Sequence, residues 1–174
     1  RRQGDPGSAQ HYYAAALDSN PGYARALLSL ADLQYMAASG TCQPDTCDKE
    51  GVRAAIEAFQ AVPATDDVEY ASIPAKKSYA VGRAYACLAM AGEPENRSLA
   101  TSALEEVVAA HDAGDKRLAF FAAEAHHLIG LLLTATTGAQ RPADLAAADV
   151  RFAEAIELST SDERKTVFYL HRAE

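Results

Sequence analysis

Apolar residues recur along the chain at the spacing of one helix face. Ala9, Tyr13 and Ala16 stand at i, i+4 and i+7, so that two small residues flank one large ring. The same arrangement returns three times, at intervals of 46, 48 and 45 residues: Ala55, Phe59 and Val62; Ala103, Val107 and Ala110; Ala148, Phe152 and Ala155. This regular recurrence predicts repeated helical units.

A second apolar pattern lies between these segments. A large apolar residue precedes a small one, and a third residue follows three positions later: Leu30-Ala31 with Gln34, Val81-Gly82 with Tyr85, and Ile129-Gly130 with Leu133. Glycine inside a helix costs roughly 1 kcal/mol relative to alanine. Close packing against a neighbouring helix would explain why Gly82 and Gly130 occupy such positions.

The two patterns together predict an all-α fold. Pro21 separates the first segment from the next, because a residue that precedes proline is disfavoured in the α region. Turn residues divide the remainder in the same way. We therefore expect eight helices, packed as antiparallel pairs, at about 7–18, 22–38, 49–62, 70–91, 96–112, 116–135, 142–158 and 162–174.

The segment 9–31 resembles the junction between two tetratricopeptide (TPR) repeats, in which one helix ends at an Asn-Pro turn and the next begins. This resemblance implies a TPR-like right-handed superhelix (an α-α solenoid) over residues 1–174. The interval here exceeds the ~34 residues of that family. The excess falls in predicted loops at 39–49, 63–74, 92–97 and 136–142.

Composition narrows the classes of function. The chain has 174 residues, 49% of them hydrophobic, which suits a single domain of residues 1–174. Because it begins Arg1-Arg2 without a methionine, we interpret it as a segment of a longer protein, either an excised domain or a mature product from which a targeting segment has been removed. The formal net charge of −8 disfavours nucleic acid as a partner. No apolar run approaches the roughly 20 residues of a transmembrane segment.

The three cysteines bear on the cellular compartment in which the protein is found. Cys42 and Cys47 bracket a proline-containing polar turn, a spacing that a disulfide can bridge, and such a bond would indicate an extracytoplasmic location. Two thiols in a cytoplasmic protein, or half of a metal site, are the alternatives. Cys87 lies on an apolar helix face, where we expect a small buried hydrophobic side chain.

The sequence offers little catalytic or metal chemistry. Adjacent His126 and His127 point about 100° apart on a helix. Glu124 and His127 share a face, but a di-iron bundle needs a second such element. Nucleophile-elbow, phosphate-loop and zinc-protease motifs are absent from the sequence. We therefore expect no enzymatic activity, no cofactor and no metal.

The TPR resemblance implies a binding groove on the concave side, lined by the helices that open each repeat. Its register assigns the groove to Arg25, Leu28, Asp32, Tyr35, Lys76, Tyr79, Arg83, Glu124, His127 and Leu131. We expect a protein or peptide partner there, and the basic Lys76 and Arg83 favour an acidic one. The alternatives are a spacer or oligomerisation unit that stacks on flanking repeats or on itself, and a bundle that binds a small molecule or metal.

Overall fold

The computed structural model describes residues 6–40, 42–64, 72–135 and 141–173, and these residues form helices and turns without a strand. The α-helices are α1 (Pro6–Ser19), α2 (Ala24–Ser39), α3 (Lys49–Ala61), α4 (Ile73–Met90), α5 (Arg97–Asp112), α6 (Ala119–Thr134), α7 (Arg141–Leu158) and α8 (Asp162–Ala173). The all-α prediction is confirmed. Parts of the predicted loops at 63–74 and 136–142 lie outside the described residues.

Local sequence explains where several helices begin and end. Asp48 caps α3, since its carboxylate accepts a hydrogen bond from the Gly51 N–H at 3.0 Å. Gly92 and Gly114 follow α4 and α5 with φ values of 98° and 115°. In this left-handed conformation the residues after them bond back to the last helical turn, as in a Schellman motif. Short 3₁₀ turns at Pro94–Asn96 and Lys116–Leu118 then lead into α5 and α6.

Each helix packs against the next one along the chain, and α4 also packs against α2 and α6. Three of the core clusters form a row that follows this order. Phe59 lies among α2, α3 and α4, and Val107 lies among α4, α5 and α6. Phe168 joins α6, α7 and α8. The first two clusters share α4, and the last two share α6. The buried core is therefore continuous beneath these two helices.

Gly82 and Gly130 stand at close helix crossings, as predicted. A Cβ atom added to Gly82 would lie 2.8 Å from Cγ of Leu104 on α5. The corresponding atom on Gly130 would lie 2.6 Å from Cε1 of Phe152 on α7. Both distances are shorter than carbon–carbon van der Waals contact. Glycine therefore permits the approach of α4 to α5 and of α6 to α7.

The predicted pairing of Cys42 with Cys47 is wrong. Cys42 is bonded to Cys87 of α4, with 2.23 Å between the sulfur atoms, and Cys47 is a thiol. Packing of α4 against α2 brings the Cα atoms of Cys42 and Cys87 within 4.9 Å, across 45 residues of sequence. Cys87 is fully buried, as expected, but it is a bonded cysteine and not a simple hydrophobic side chain.

None of the described helices combines the length and apolar character needed to cross a membrane. The most apolar of them, α6, has 16 residues. Its apolar residues instead contact α5, α7 and α8.

Candidate functional site

A groove of about 580 Å³ lies between the helices of the described chain. Side chains of α1, α2, α4, α6 and α8 line it, with Phe59 of α3 at its base, whereas α5 and α7 do not contribute. We call this concavity the groove and define it by the residues that give it its chemistry: Tyr13, Asp32, Lys76, Tyr79, Arg83, Phe120, Phe121, Glu124 and Arg164.

Helical periodicity brings these side chains to one surface. Lys76, Tyr79 and Arg83 stand at i, i+3 and i+7 of α4, the central helix of the groove wall. Phe120 and Glu124 stand one turn apart on α6. Because α4 packs against α2 on one side and α6 on the other, the three helices present their side chains to the same space.

Arg83 is fixed by its neighbours in the middle of the groove. Its guanidinium lies 4.2 Å from the ring centroid of Tyr35 and 5.5 Å from that of Tyr79. It also donates a hydrogen bond to Asp32 of α2. Burial raises the pKa of Tyr79 well above its usual value, so its hydroxyl is neutral at pH 7. Tyr79 therefore does not offset the positive charge of Arg83.

The other two cations of the groove differ in how they are paired. Arg164 of α8 donates to the Glu124 carboxylate and lies 4.5 Å above the Phe120 ring centroid. Lys76 Nζ lies 5.7 Å from the centroid of Phe121. Among the described residues Lys76 has no carboxylate within ion-pair distance. The ammonium group of Lys76 is therefore available to an incoming anion.

The structure gathers most of the residues predicted for the groove. Leu28, Asp32, Lys76, Tyr79, Arg83 and Glu124 line it. Tyr35 is buried beneath the Arg83 guanidinium and supports it from below. The remaining three do not line it: Arg25, His127 and Leu131. Arg25 is exposed near the start of α2, and Leu131 is half-buried near the end of α6.

His127 belongs to the contact between α6 and α8. Its ring stacks on that of His171 at 5.0 Å, with 2.7 Å between His127 Nε2 and His171 Nδ1. The ring centroid of Phe168 lies 4.6 Å from that of His127. Burial, followed by the nearby His171 and Arg164, lowers the pKa of His127 to about 4. The histidine is therefore neutral at pH 7 and serves packing.

Sequence analysis missed several groove residues. Tyr13 belongs to the apolar pattern of the first helix, and the structure places it at the groove. Phe120 and Phe121 carried a usable signal, because two adjacent aromatic rings at the start of a helix cannot both face its core. Arg164 gave no such signal. Its contact with Glu124 spans 40 residues and depends on how α8 packs.

The groove does not hold a metal-binding arrangement. Among the described ranges no group of three His, Cys, Asp or Glu side chains is close enough to hold an ion. Its charged groups are three cations, each close to an aromatic ring, and the two carboxylates of Asp32 and Glu124. No protein-family model, curated protein or solved structure matches this chain.

Proposed function

We propose that the chain is a protein–protein interaction module that binds an extended peptide segment in the groove of a TPR-like superhelix. The observation that carries the proposal is the combination, in one groove, of three cations with aromatic rings: Arg83 with Tyr35 and Tyr79, Lys76 with Phe121, and Arg164 with Phe120. Aromatic and guanidinium groups are enriched where proteins bind one another most strongly.

The charges of the groove favour an acidic segment. Three cations line it against the two carboxylates of Asp32 and Glu124, on a chain whose formal net charge is −8. Asp32 and Glu124 are already paired with Arg83 and Arg164. A ligand carboxylate placed beside Lys76 would form an ion pair with this lysine, and apolar atoms of the same ligand would cover Phe121.

Selection and affinity measurement test this function. Random peptides displayed on phage are selected on the immobilised protein, and the enriched peptides are labelled for fluorescence anisotropy. We expect enrichment of Asp and Glu beside apolar residues. Lys76→Gln and Phe121→Ala should each raise the Kd about 5- to 30-fold, as expected for a loss of about 1–2 kcal/mol. The melting temperature should change little for Lys76→Gln. Phe121 also packs against the cluster that contains Val107, so the Kd of Phe121→Ala is measured at a temperature at which the variant is folded.

Two matched variants serve as controls. Lys116→Gln removes an exposed lysine that does not line the groove, and Glu57→Ala changes the exposed face of α3. Both should leave the Kd unchanged, because exposed charges remote from a site contribute little. Selection without any sequence preference, or equal losses from Lys76→Gln and Lys116→Gln, would contradict the groove as the binding site.

The oligomerisation alternative is favoured by one observation. Val167, Tyr169 and Leu170 of α8 are 42%, 55% and 61% exposed, which is a large apolar area for one short helix. Stacking of α8 against a second copy would cover them. Light scattering coupled to size exclusion separates the two functions, because a binding module can be monomeric whereas this alternative requires a dimer or larger assembly.

A further inference from the structure

Three sulfur atoms meet where the segment after α2 lies against α4. Cys42 and Cys87 form the disulfide, and the Cys47 sulfur lies 3.9 Å from the Cys87 sulfur. A thiol beside a disulfide has the components of an exchange reaction, in which a thiolate attacks one sulfur and displaces the other.

The three cysteines differ in how firmly they are held. Cys87 is fully buried in the last turn of α4. Cys47 directly precedes the capping residue Asp48, whose N–H donates to Ala38 of α2 at 2.9 Å. Cys42 lies in the connecting turn, is only partly buried, and has a φ of 54°, which is unfavourable for a residue with a side chain. Release of Cys42 from the disulfide would free the least constrained of the three.

We propose that Cys42, Cys47 and Cys87 form an intramolecular thiol–disulfide exchange site, in which Cys47 and Cys42 alternate as the partner of Cys87. The Cys47 thiol loses its proton to solvent, and its sulfur electron pair attacks Cys87 Sγ. The Cys87–Cys42 bond breaks as the Cys47–Cys87 bond forms. Cys42 leaves as a thiolate and takes a proton from solvent, so that the number of disulfides and thiols is unchanged.

Neighbouring side chains interact with both of the sulfur atoms that change charge, those of Cys42 and Cys47. The Tyr35 hydroxyl lies 3.7 Å from Cys42 Sγ and can donate a hydrogen bond to the departing thiolate. Around Cys47, Lys49 and Arg53 of α3 favour the thiolate, whereas Asp48 and Glu93 oppose it. Burial is the largest influence and raises the pKa of the Cys47 thiol. Exchange should therefore be slow at neutral pH and faster in alkali.

The site connects to the groove through one side chain. Tyr35 contacts Cys42 with its hydroxyl and supports the Arg83 guanidinium with its ring, at 4.2 Å. A change of partner at Cys87 would replace a disulfide sulfur with a thiol beside Tyr35. The arrangement of Arg83 and Asp32 would then respond to the state of the three cysteines.

Peptide mapping of the thiol tests the proposal. The full chain, prepared without reductant, is held at about pH 6, 7.5 and 9 with an alkylating reagent, then digested and analysed by mass spectrometry. We expect label on both Cys47 and Cys42, each with its complementary disulfide. Labelling of Cys42 should accelerate about tenfold per pH unit below the pKa of Cys47, in proportion to the thiolate fraction.

Two variants make the result decisive. Cys47→Ser removes the attacking sulfur, so Cys42 should remain unlabelled at every pH. Cys42→Ser removes the present partner, and the oxidised protein should then contain the Cys47–Cys87 disulfide while keeping the wild-type helical circular dichroism. Label confined to Cys47 in the wild type at all three pH values would overturn the proposal. A folded Cys42→Ser protein that cannot form the Cys47–Cys87 bond would overturn it as well.

Discussion

Gly82 and Gly130 set the distance between helices at two crossings. At these positions even the Cβ atom of alanine would fall within 3.0 Å of Leu104 or Phe152. Larger side chains must push the helices apart or force their neighbours out of favourable rotamers. The identity of a single residue therefore determines how closely α4 approaches α5, and how closely α6 approaches α7.

Gly82→Leu and Gly130→Leu should each lower the free energy of unfolding by roughly 1–3 kcal/mol, through overpacking. Helix propensity alone predicts the opposite sign, because leucine is favoured over glycine inside a helix by nearly 1 kcal/mol. Urea denaturation measures the difference. Gly22→Leu is a matched control, since Gly22 lies in an exposed turn where a Cβ meets only Asn20 Oδ1 at 3.8 Å. Wild-type stability in both crossing variants would contradict the packing described.

At the scale of the helices, α6 and α8 are in contact through two histidine rings, and protonation of His127 would disturb this contact. The stacked rings of His127 and His171 share a hydrogen bond, so one nitrogen must donate while the other accepts. Protonation of His127 would place a positive charge on the ring that contacts His171, near the Arg164 cation. Glu124 and Glu163 border the same recess and partly offset that charge.

Lowering the pH should weaken this contact. The pKa of His127 is about 4 in the folded protein, below its ordinary value of 6.5, so the unfolded chain binds the proton first as pH falls. The contribution of neutral His127 to the free energy of unfolding is complete above pH 6.5. It falls by roughly 2–3 kcal/mol between pH 6.5 and about 4. Urea denaturation at several pH values measures the loss.

His127→Gln separates this effect from the titration of other groups. Carboxylates and His126 titrate in both proteins, so only the difference between the two stability profiles reports on His127. The free energy of unfolding of His127→Gln should depend less steeply on pH between 6.5 and 4 than that of the wild type. Parallel profiles would show that the histidine stack does not depend on protonation.

The helices themselves were predictable, and their contacts were less so. The eight predicted helices match the observed bounds closely; for example, 97–112 was predicted as 96–112. Local periodicity and turn residues determine these bounds. The sequence also predicted the buried crossings, because a glycine within a helix needs a structural reason. The Cys42–Cys87 bond and the Arg164–Glu124 pair could not be predicted, because each depends on how helices distant in sequence pack.

At the scale of the whole molecule, the disulfide encloses a loop of 45 residues that contains α3 and most of α4. The expected Cys42–Cys47 bond would have closed a short loop and contributed little. Cross-linking stabilises mainly by restricting the unfolded chain, and the restriction grows with loop length. The observed pairing therefore makes the stability of the entire row of clusters sensitive to reduction.

Reduction of the disulfide should lower the free energy of unfolding by about 3–4 kcal/mol, the value of the loop-entropy relation for a loop of this length. Thermal melting with and without reductant measures the change. Cys47→Ser, which keeps only the Cys42–Cys87 pair, should show the same loss. A Cys42→Ser/Cys47→Ser double variant contains no disulfide partner for Cys87 and should melt identically in both conditions. Equal melting of oxidised and reduced wild type would contradict the prediction.

The same bond also determines how the molecule would respond to mechanical load. When the chain is pulled from its two ends, force passes from Cys42 to Cys87 through the sulfur atoms and bypasses the 45-residue interval between them. At about 3.3–3.6 Å per extended residue, roughly 150 Å of contour length stays out of reach until the bond is reduced. The helix α3 and most of α4 would then bear no tension while the helices outside this interval unravel, and the oxidised chain would reach full extension at a shorter end-to-end distance than the reduced one.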